Sequence, residues 1–148
     1  MAGGSSDVVR VAVLMDRHED FYADESEDWQ TARLFEVVAD TSGDHGTETY
    51  PPTLDTVQLA DLGELDMGEG ETLAQFLAWG LRSYPAKRYA IAFASHGAGW
   101  AGVITDDAPG SSILSLPELS HAFSLAAEIA GVEKFDLLIN DACLMSSV

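Results

Sequence analysis

The sequence predicts an α/β fold built on a mostly parallel sheet, because short, nearly continuous apolar runs alternate with stretches of helical periodicity. Residues 8–15, 88–95 and 135–140 are the three strong runs, rich in Val, Ile, Leu and Ala, as in strands covered on both faces. Between them, apolar residues recur every three or four positions, as a crossover helix requires. The expected order is strand, helix, strand, helix, strand, helix, strand, a doubly wound sheet with right-handed crossovers. No internal repeat or low-complexity tract interrupts it.

Each element has its own justification. Residues 1–7 are small and polar and read as a flexible tail, so the folded part is expected over 8–148. Residues 8–15 form the first strand. Seven acids between Asp16 and Asp28 mark a solvated loop or helix entry. Residues 29–39 carry Trp29, Ala32, Leu34, Phe35, Val37 and Val38 at mixed spacings, which predicts a helix ending near Thr41-Ser42-Gly43. Gly46, Pro51 and Pro52 give 44–53 the chemistry of a turn. Residues 57–62 are a weaker strand.

A helix follows from Glu69 through Leu73, Phe76, Leu77 and Leu81 until Pro85 stops it. The strand at 88–95 is broken at once by His96-Gly97-Ala98-Gly99. Residues 117–130 are a helix with Pro in its first turn, Ser115 in front and Gly131 behind. The last strand, 135–140, leads into Asp141-Ala142-Cys143. With Val148 five positions beyond, the sheet keeps a raw parallel edge, and a second polypeptide or a carboxyl-terminal remainder is expected to complete it.

Composition narrows the functional classes. With 47% apolar and 22% charged residues, the 148-residue chain suits one compact domain rather than a disordered tail or a coiled coil. Seven Lys and Arg against 25 Asp and Glu give a formal charge of −18, which excludes a general electrostatic grip on nucleic acid or an anionic membrane. One cysteine excludes an internal disulfide framework and a Cys-only zinc site. No secretory leader is visible and no apolar run approaches the ~20 residues of a membrane span, so a cytoplasmic location is expected, with secretion after processing left open.

In open parallel sheets, functional groups gather beyond the carboxyl ends of the strands. His96 and Cys143 both fall there, on consecutive strands and 47 positions apart, room for one crossover helix. A thiol beside an imidazole is the minimal apparatus of covalent acyl transfer: the thiolate attacks a carbonyl and the imidazolium protonates the leaving amine. Gly97 lets a backbone N–H approach the substrate oxygen, as an oxyanion hole requires. A separation of about 50 residues from His to a downstream Cys is also the caspase pattern. The plainer alternatives stay open: Cys143 as a small packing residue and His96 as a turn residue. His18, His45 and His121 occupy loop or helix-face contexts and read as surface residues.

Several ordered motifs then carry a resemblance. Leu62-Gly63-Glu64-Leu65-Asp66-Met67-Gly68 with Glu71-Thr72-Leu73, Trp79-Gly80, Tyr84-Pro85-Ala86, Tyr89-Ala90, Ser95-His96-Gly97-Ala98-Gly99-Trp100 and Asp141-Ala142-Cys143-Leu144-Met145 resemble the clostripain family of cysteine peptidases, of the caspase-like clan. The match runs from about Val11 to the last residue. The resemblance implies a caspase-like three-layer sandwich around a mostly parallel sheet, of which only the amino-terminal four strands are present. It implies a catalytic dyad of His96 and Cys143, main-chain N–H groups near Gly97 and Cys143 for the oxyanion, and cleavage after Arg or Lys. Asp141 matches the acid at the floor of the primary specificity pocket, where a buried carboxylate would pair bidentately with Arg. A helix-capping role for Asp141 remains its alternative.

Ser95 is within the family's range before the His, and Asp106 and Asp107 resemble family acids of a loop or pocket wall. The resemblance also implies a zymogen whose processed chains stay associated, with a carboxyl-terminal fragment of the same precursor as partner and a basic peptide as substrate. Calcium is known among relatives, and the 16–28 block offers oxygens but not EF-hand spacing, so no metal residue is assigned and no cofactor is certain. Two readings compete with the peptidase. One is a non-enzymatic regulatory or scaffold subunit with the family's sheet. The other, a nucleotide-binding domain, lacks both a Gly-x-Gly-x-x-Gly after the first strand and a P-loop Lys.

Overall fold

The computed structural model describes residues 4–17, 29–38, 55–107, 110 and 112–145. The chain divides into two compact units, Met1–Leu65 and Asp66–Val148. The acid block at 18–28, the turn at 44–53, His18 and His45 lie outside the described residues.

The first unit contains a three-stranded antiparallel sheet of β1 (Ala12–Met15), β2 (Arg33–Val37) and β3 (Thr56–Asp61), in that order. This corrects two expectations. The helix expected over 29–39 is not formed over its described part, 29–38: β2 stands there, so the described strands number five and not four. The strand expected at 8–15 is shorter and pairs antiparallel, with Val8 and Val9 exposed. The physical reason lies in β2. Phe35, Val37 and Val38 favour extended backbone, and the Leu34/Phe35 bulge shifts the pleat so that Leu34 and Val37 are both buried three positions apart. That spacing imitates a helix in sequence.

Pairs of side chains bind the sheet. The Arg33 guanidinium lies 3.1 Å from Asp61, its cross-strand partner, and Arg10 lies 2.9 Å from Glu36. Arg17 and Arg33 both stack on the Trp29 ring. The Gly63 N–H, the Thr31 hydroxyl and Arg33 together hold the Asp61 carboxyl below its ordinary range. Ser5, inside the expected tail, is buried and donates its N–H to the Val37 carbonyl.

The second unit pairs two helices with a two-stranded parallel sheet. Helix α1 (Gly70–Ser83) buries Leu73, Ala74, Leu77, Ala78 and Leu81, one stripe of a 3.6-residue period. Each of those leucines contributes about 1.5–3 kcal/mol by leaving water. Helix α2 (Leu116–Ala130) opens with a capping box, in which Ser115 and Glu118 exchange hydrogen bonds, and ends at Gly131 in the left-handed conformation. Hydrogen bonds from the Ser115 hydroxyl and N–H lower the Glu118 pKa. Val103 and Leu114 sit at the centre of the core with no exposed surface.

Strands β4 (Ala90–Ser95) and β5 (Leu137–Ala142) pair in parallel, joined through α2. Ile91, Phe93 and Ala142 pack on the core, with Phe93, Phe123 and Phe135 in ring contact. The register is locked at the amino ends, where Asp136 accepts the Tyr89 N–H at 3.0 Å and the Asp136 N–H returns to the Tyr89 carbonyl at 2.8 Å. That bond from Tyr89, with Lys134 assisting, holds the Asp136 carboxyl below its ordinary range.

Candidate active site

The register decides what meets at the other end of the pair. His96 is seven positions beyond Tyr89, and Cys143 is seven beyond Asp136. With Ser95 opposite Ala142 as the last pair, His96 and Cys143 leave neighbouring strands at the same level. The pleat sorts the side chains: Ile91 and Phe93 of β4 and Ala142 of β5 pack on the core, and Ser95, Leu138 and Asn140 share their side by register, with Leu138 and Asn140 exposed. Ala90, Ala92, Ala94, Leu137, Ile139 and Asp141 face the other way, and the alternation continued one step puts His96 and Cys143 on that side too.

Gly97 is where the two strand ends touch. A Cβ on Gly97 would collide with the Cys143 carbonyl oxygen and stand 2.9 Å from Met145 Cγ. Gly97 does not have a positive φ, so the need for glycine is one of space. The residue anticipated for its closeness to a substrate is required first by its closeness to Cys143. Beyond Cys143 the chain turns sharply: Leu144 has φ 63, a left-handed conformation rare for a bulky residue. Leu144 is 70% exposed while Met145 returns to the core, so the turn lifts residues 143 and 144 to the surface between two anchored neighbours. No local sequence signal marks that turn, because leucine carries no preference for it.

His96, Asp141 and Cys143 are all exposed. Asp141, expected on a pocket floor, lies on the open side of β5 in this part of the fold. Among the described residues β5 is paired on one edge alone, and its outward apolar side chains Leu137 and Ile139 are 53% and 46% exposed. A groove of about 550 Å³ lies instead between α1 and α2, beside Trp79, Arg82, Leu125 and Ile129, and shares no lining residue with the strand ends. Asp106 is buried in the loop after Trp100, whereas Asp107 is exposed. His121 is exposed on α2.

A profile of the clostripain family matches residues 4–148. The chain belongs to the clostripain family. The X-ray structure of a secreted C11 cysteine protease from Bacteroides thetaiotaomicron, in complex with an irreversible peptide inhibitor, is similar, with a TM-score of 0.65 and 19% sequence identity. That likeness concerns the fold, covering 90% of this chain and 32% of the other, so this clostripain-family chain spans about a third of that protein's length. No curated protein matches it. No described helix is long and apolar enough to cross a membrane.

Proposed function

We propose that the chain is the amino-terminal part of a cysteine endopeptidase that cleaves after Arg or Lys. The observation that carries this reading is the matched exit of His96 and Cys143 from adjacent parallel strands, with Gly97 pressed against the Cys143 carbonyl. Two groups of complementary chemistry then share one sheet rim, with backbone amides beside them.

In the proposed reaction the Cys143 thiolate adds to the scissile carbonyl carbon, and the carbonyl electron pair moves onto oxygen. N–H groups near Gly97 and Cys143 receive that oxyanion. The oxyanion collapses as the C–N bond breaks, and the His96 imidazolium gives its proton to the departing amine, leaving a thioester. Water, losing a proton to His96, then attacks the thioester; the C–S bond breaks, the acid product leaves, and the Cys143 thiolate and His96 imidazolium are restored. Asp141, two residues before the nucleophile on the same side of β5, is the proposed anchor for the basic side chain. A formal charge of −18 draws cationic segments toward the molecule, most strongly at low salt.

The remainder of the caspase-like three-layer sandwich is proposed to come from the carboxyl-terminal fragment of the same precursor, processed as a zymogen. Its layer would cover Leu137 and Ile139 and enclose Asp141. The test uses the assembled enzyme. Cys143→Ala abolishes hydrolysis of an Arg-ending fluorogenic peptide, and a peptidyl-Arg chloromethyl ketone labels the unaltered protein at Cys143. Unchanged turnover in the variant ends the reading, and absence of labelling favours a scaffold subunit.

A further inference from the structure

The segment that follows His96 and Gly97 is held from a distance. The Ala98 N–H donates to the Gly102 carbonyl at 3.0 Å, closing a short turn around Gly99 and Trp100. From there the chain runs into an antiparallel pair: Val103 N–H to the Leu114 carbonyl at 3.0 Å, Leu114 N–H to the Ile104 carbonyl at 2.9 Å, and a bridge between Thr105 and Ile113. Val103 and Leu114 are fully buried, so this ladder is the rigid part of the loop. Its far end meets the turn that precedes α1. There Ser112 donates its hydroxyl to Asp66 Oδ1 at 3.0 Å, and Met67 donates its N–H to Asp106 Oδ2 at 2.7 Å.

The two carboxylates are reciprocal. Asp66 belongs to the turn and holds the loop, while Asp106 belongs to the loop and holds the turn. Asp66 Oδ1 also accepts the Gly68 N–H at 2.8 Å, and a Cβ on Gly68 would collide with the Ser112 backbone, so the surfaces are already in contact. Asp106 is 8% exposed. A polar group buried this far persists only when it is hydrogen-bonded. Two such bonds at a site that touches neither thiol nor imidazole indicate a brace.

We infer that Asp66 and Asp106 are positioning residues, which clamp the paired segments 102–106 and 112–114 onto the turn before α1 and thereby set where the His96-Gly97-Ala98 backbone stands relative to Cys143. The inference rests on the peptidase reading of that site. Its chemical consequence is specific: loosening the clamp shifts the His96 imidazole and the N–H groups near Gly97 relative to a thiol that stays in place. Displacements of about 1 Å at a catalytic group can cost up to about a hundredfold in rate. A partial loosening through one turn and one ladder is expected to cost about tenfold.

The experiment measures kcat and KM on an Arg-ending peptide in the assembled enzyme for Asp66→Ala, Asp66→Asn and Ser112→Ala, with the rate of Cys143 alkylation by iodoacetamide against pH as a second readout. Asp66→Ala is expected to lower kcat about tenfold with KM changed less than about twofold, the signature of an interaction felt in the transition state. Asp66→Asn restores kcat to within about twofold, since an amide oxygen accepts the same two bonds. The pH profile of alkylation shifts in Asp66→Ala, as the imidazole that ionises the thiol is displaced, and returns in Asp66→Asn; a profile unchanged in Asp66→Ala overturns the clamp. Should Asp66→Ala not fold, Ser112→Ala decides, with about a threefold loss in kcat expected. An unchanged kcat in whichever variant decides, a loss that asparagine does not restore, or a loss confined to KM overturns the clamp. An unaltered enzyme that hydrolyses nothing overturns the peptidase reading itself, a separate outcome.

Discussion

Replacing Gly97 with alanine is the sharpest probe of the strand-end arrangement, because the added methyl has nowhere to go. Its carbon would overlap the Cys143 carbonyl oxygen, and Met145 Cγ at 2.9 Å and Ala142 Cβ at 3.1 Å stand on the other approaches. Ordinary contact begins near 3.4 Å, and two of these three neighbours are anchored in backbone or close to it. The strand ends must therefore part by roughly 1 Å, a shift at the scale that costs up to about a hundredfold in rate. Overpacking of this kind costs about 1–3 kcal/mol in stability. The loss is steric, since Gly97 lies outside the left-handed region. Thermal unfolding and kcat/KM on an Arg-ending peptide measure the two effects, and alkylation of Cys143 by iodoacetamide checks that the thiol remains reachable. A variant with unaltered melting temperature and kcat/KM within about threefold of the original refutes the close approach of Gly97 to Cys143, and with it the shared rim.

Three further outcomes are expected. Asp141→Ala lowers cleavage after Arg by about ten- to a hundredfold, the worth of a hydrogen bond to a charged group, while cleavage after neutral residues changes little; equal losses on both substrates return Asp141 to a structural role. Leu144→Gly relieves about 1–2 kcal/mol of left-handed strain against about 0.5–1 kcal/mol of added chain entropy, so a small rise in melting temperature is expected, and a fall removes the strain argument. The carboxyls of Asp61, Glu118 and Asp136 all have lowered folded pKa values, so the unfolded chain binds more protons in acid. Their stabilisation is complete above the ordinary carboxylate range near pH 4 and is lost as pH falls through the depressed values. Ser115→Ala removes the capping-box share of that acid limb and about 1 kcal/mol besides; a denaturation profile unchanged between pH 2 and pH 5 contradicts it.

Local chemistry was legible wherever neighbours in sequence are also partners in space. The Ser115 cap, the Gly131 stop and the buried stripe of α1 are satisfied within one or two turns, so spacing alone reveals them, whereas the Glu118 half of the capping box came from the folded chain. The strands at 90–95 and 137–142 were legible as apolar runs, and the two residues following them were legible as chemistry. The 29–39 segment misled because a bulge spaces Leu34 and Val37 as a helix would, and its strand state depends on β1 and β3, distant in sequence. Asp106 was readable only as a loop acid, since its bond to Met67 spans 39 positions.

By itself, the amino-acid order determined which residues could do covalent chemistry, a thiol and an imidazole each placed just after a strand, and which family the chain resembles. Tertiary structure alone decided that those residues leave their strands level with each other, because the Tyr89 and Asp136 exchange sets the register through bonds across 47 positions. It also decided that Gly97 rests on the Cys143 carbonyl and that Leu144 takes a left-handed turn. Backbone contact between separate strands leaves no mark in side-chain periodicity, so only the folded chain discloses it.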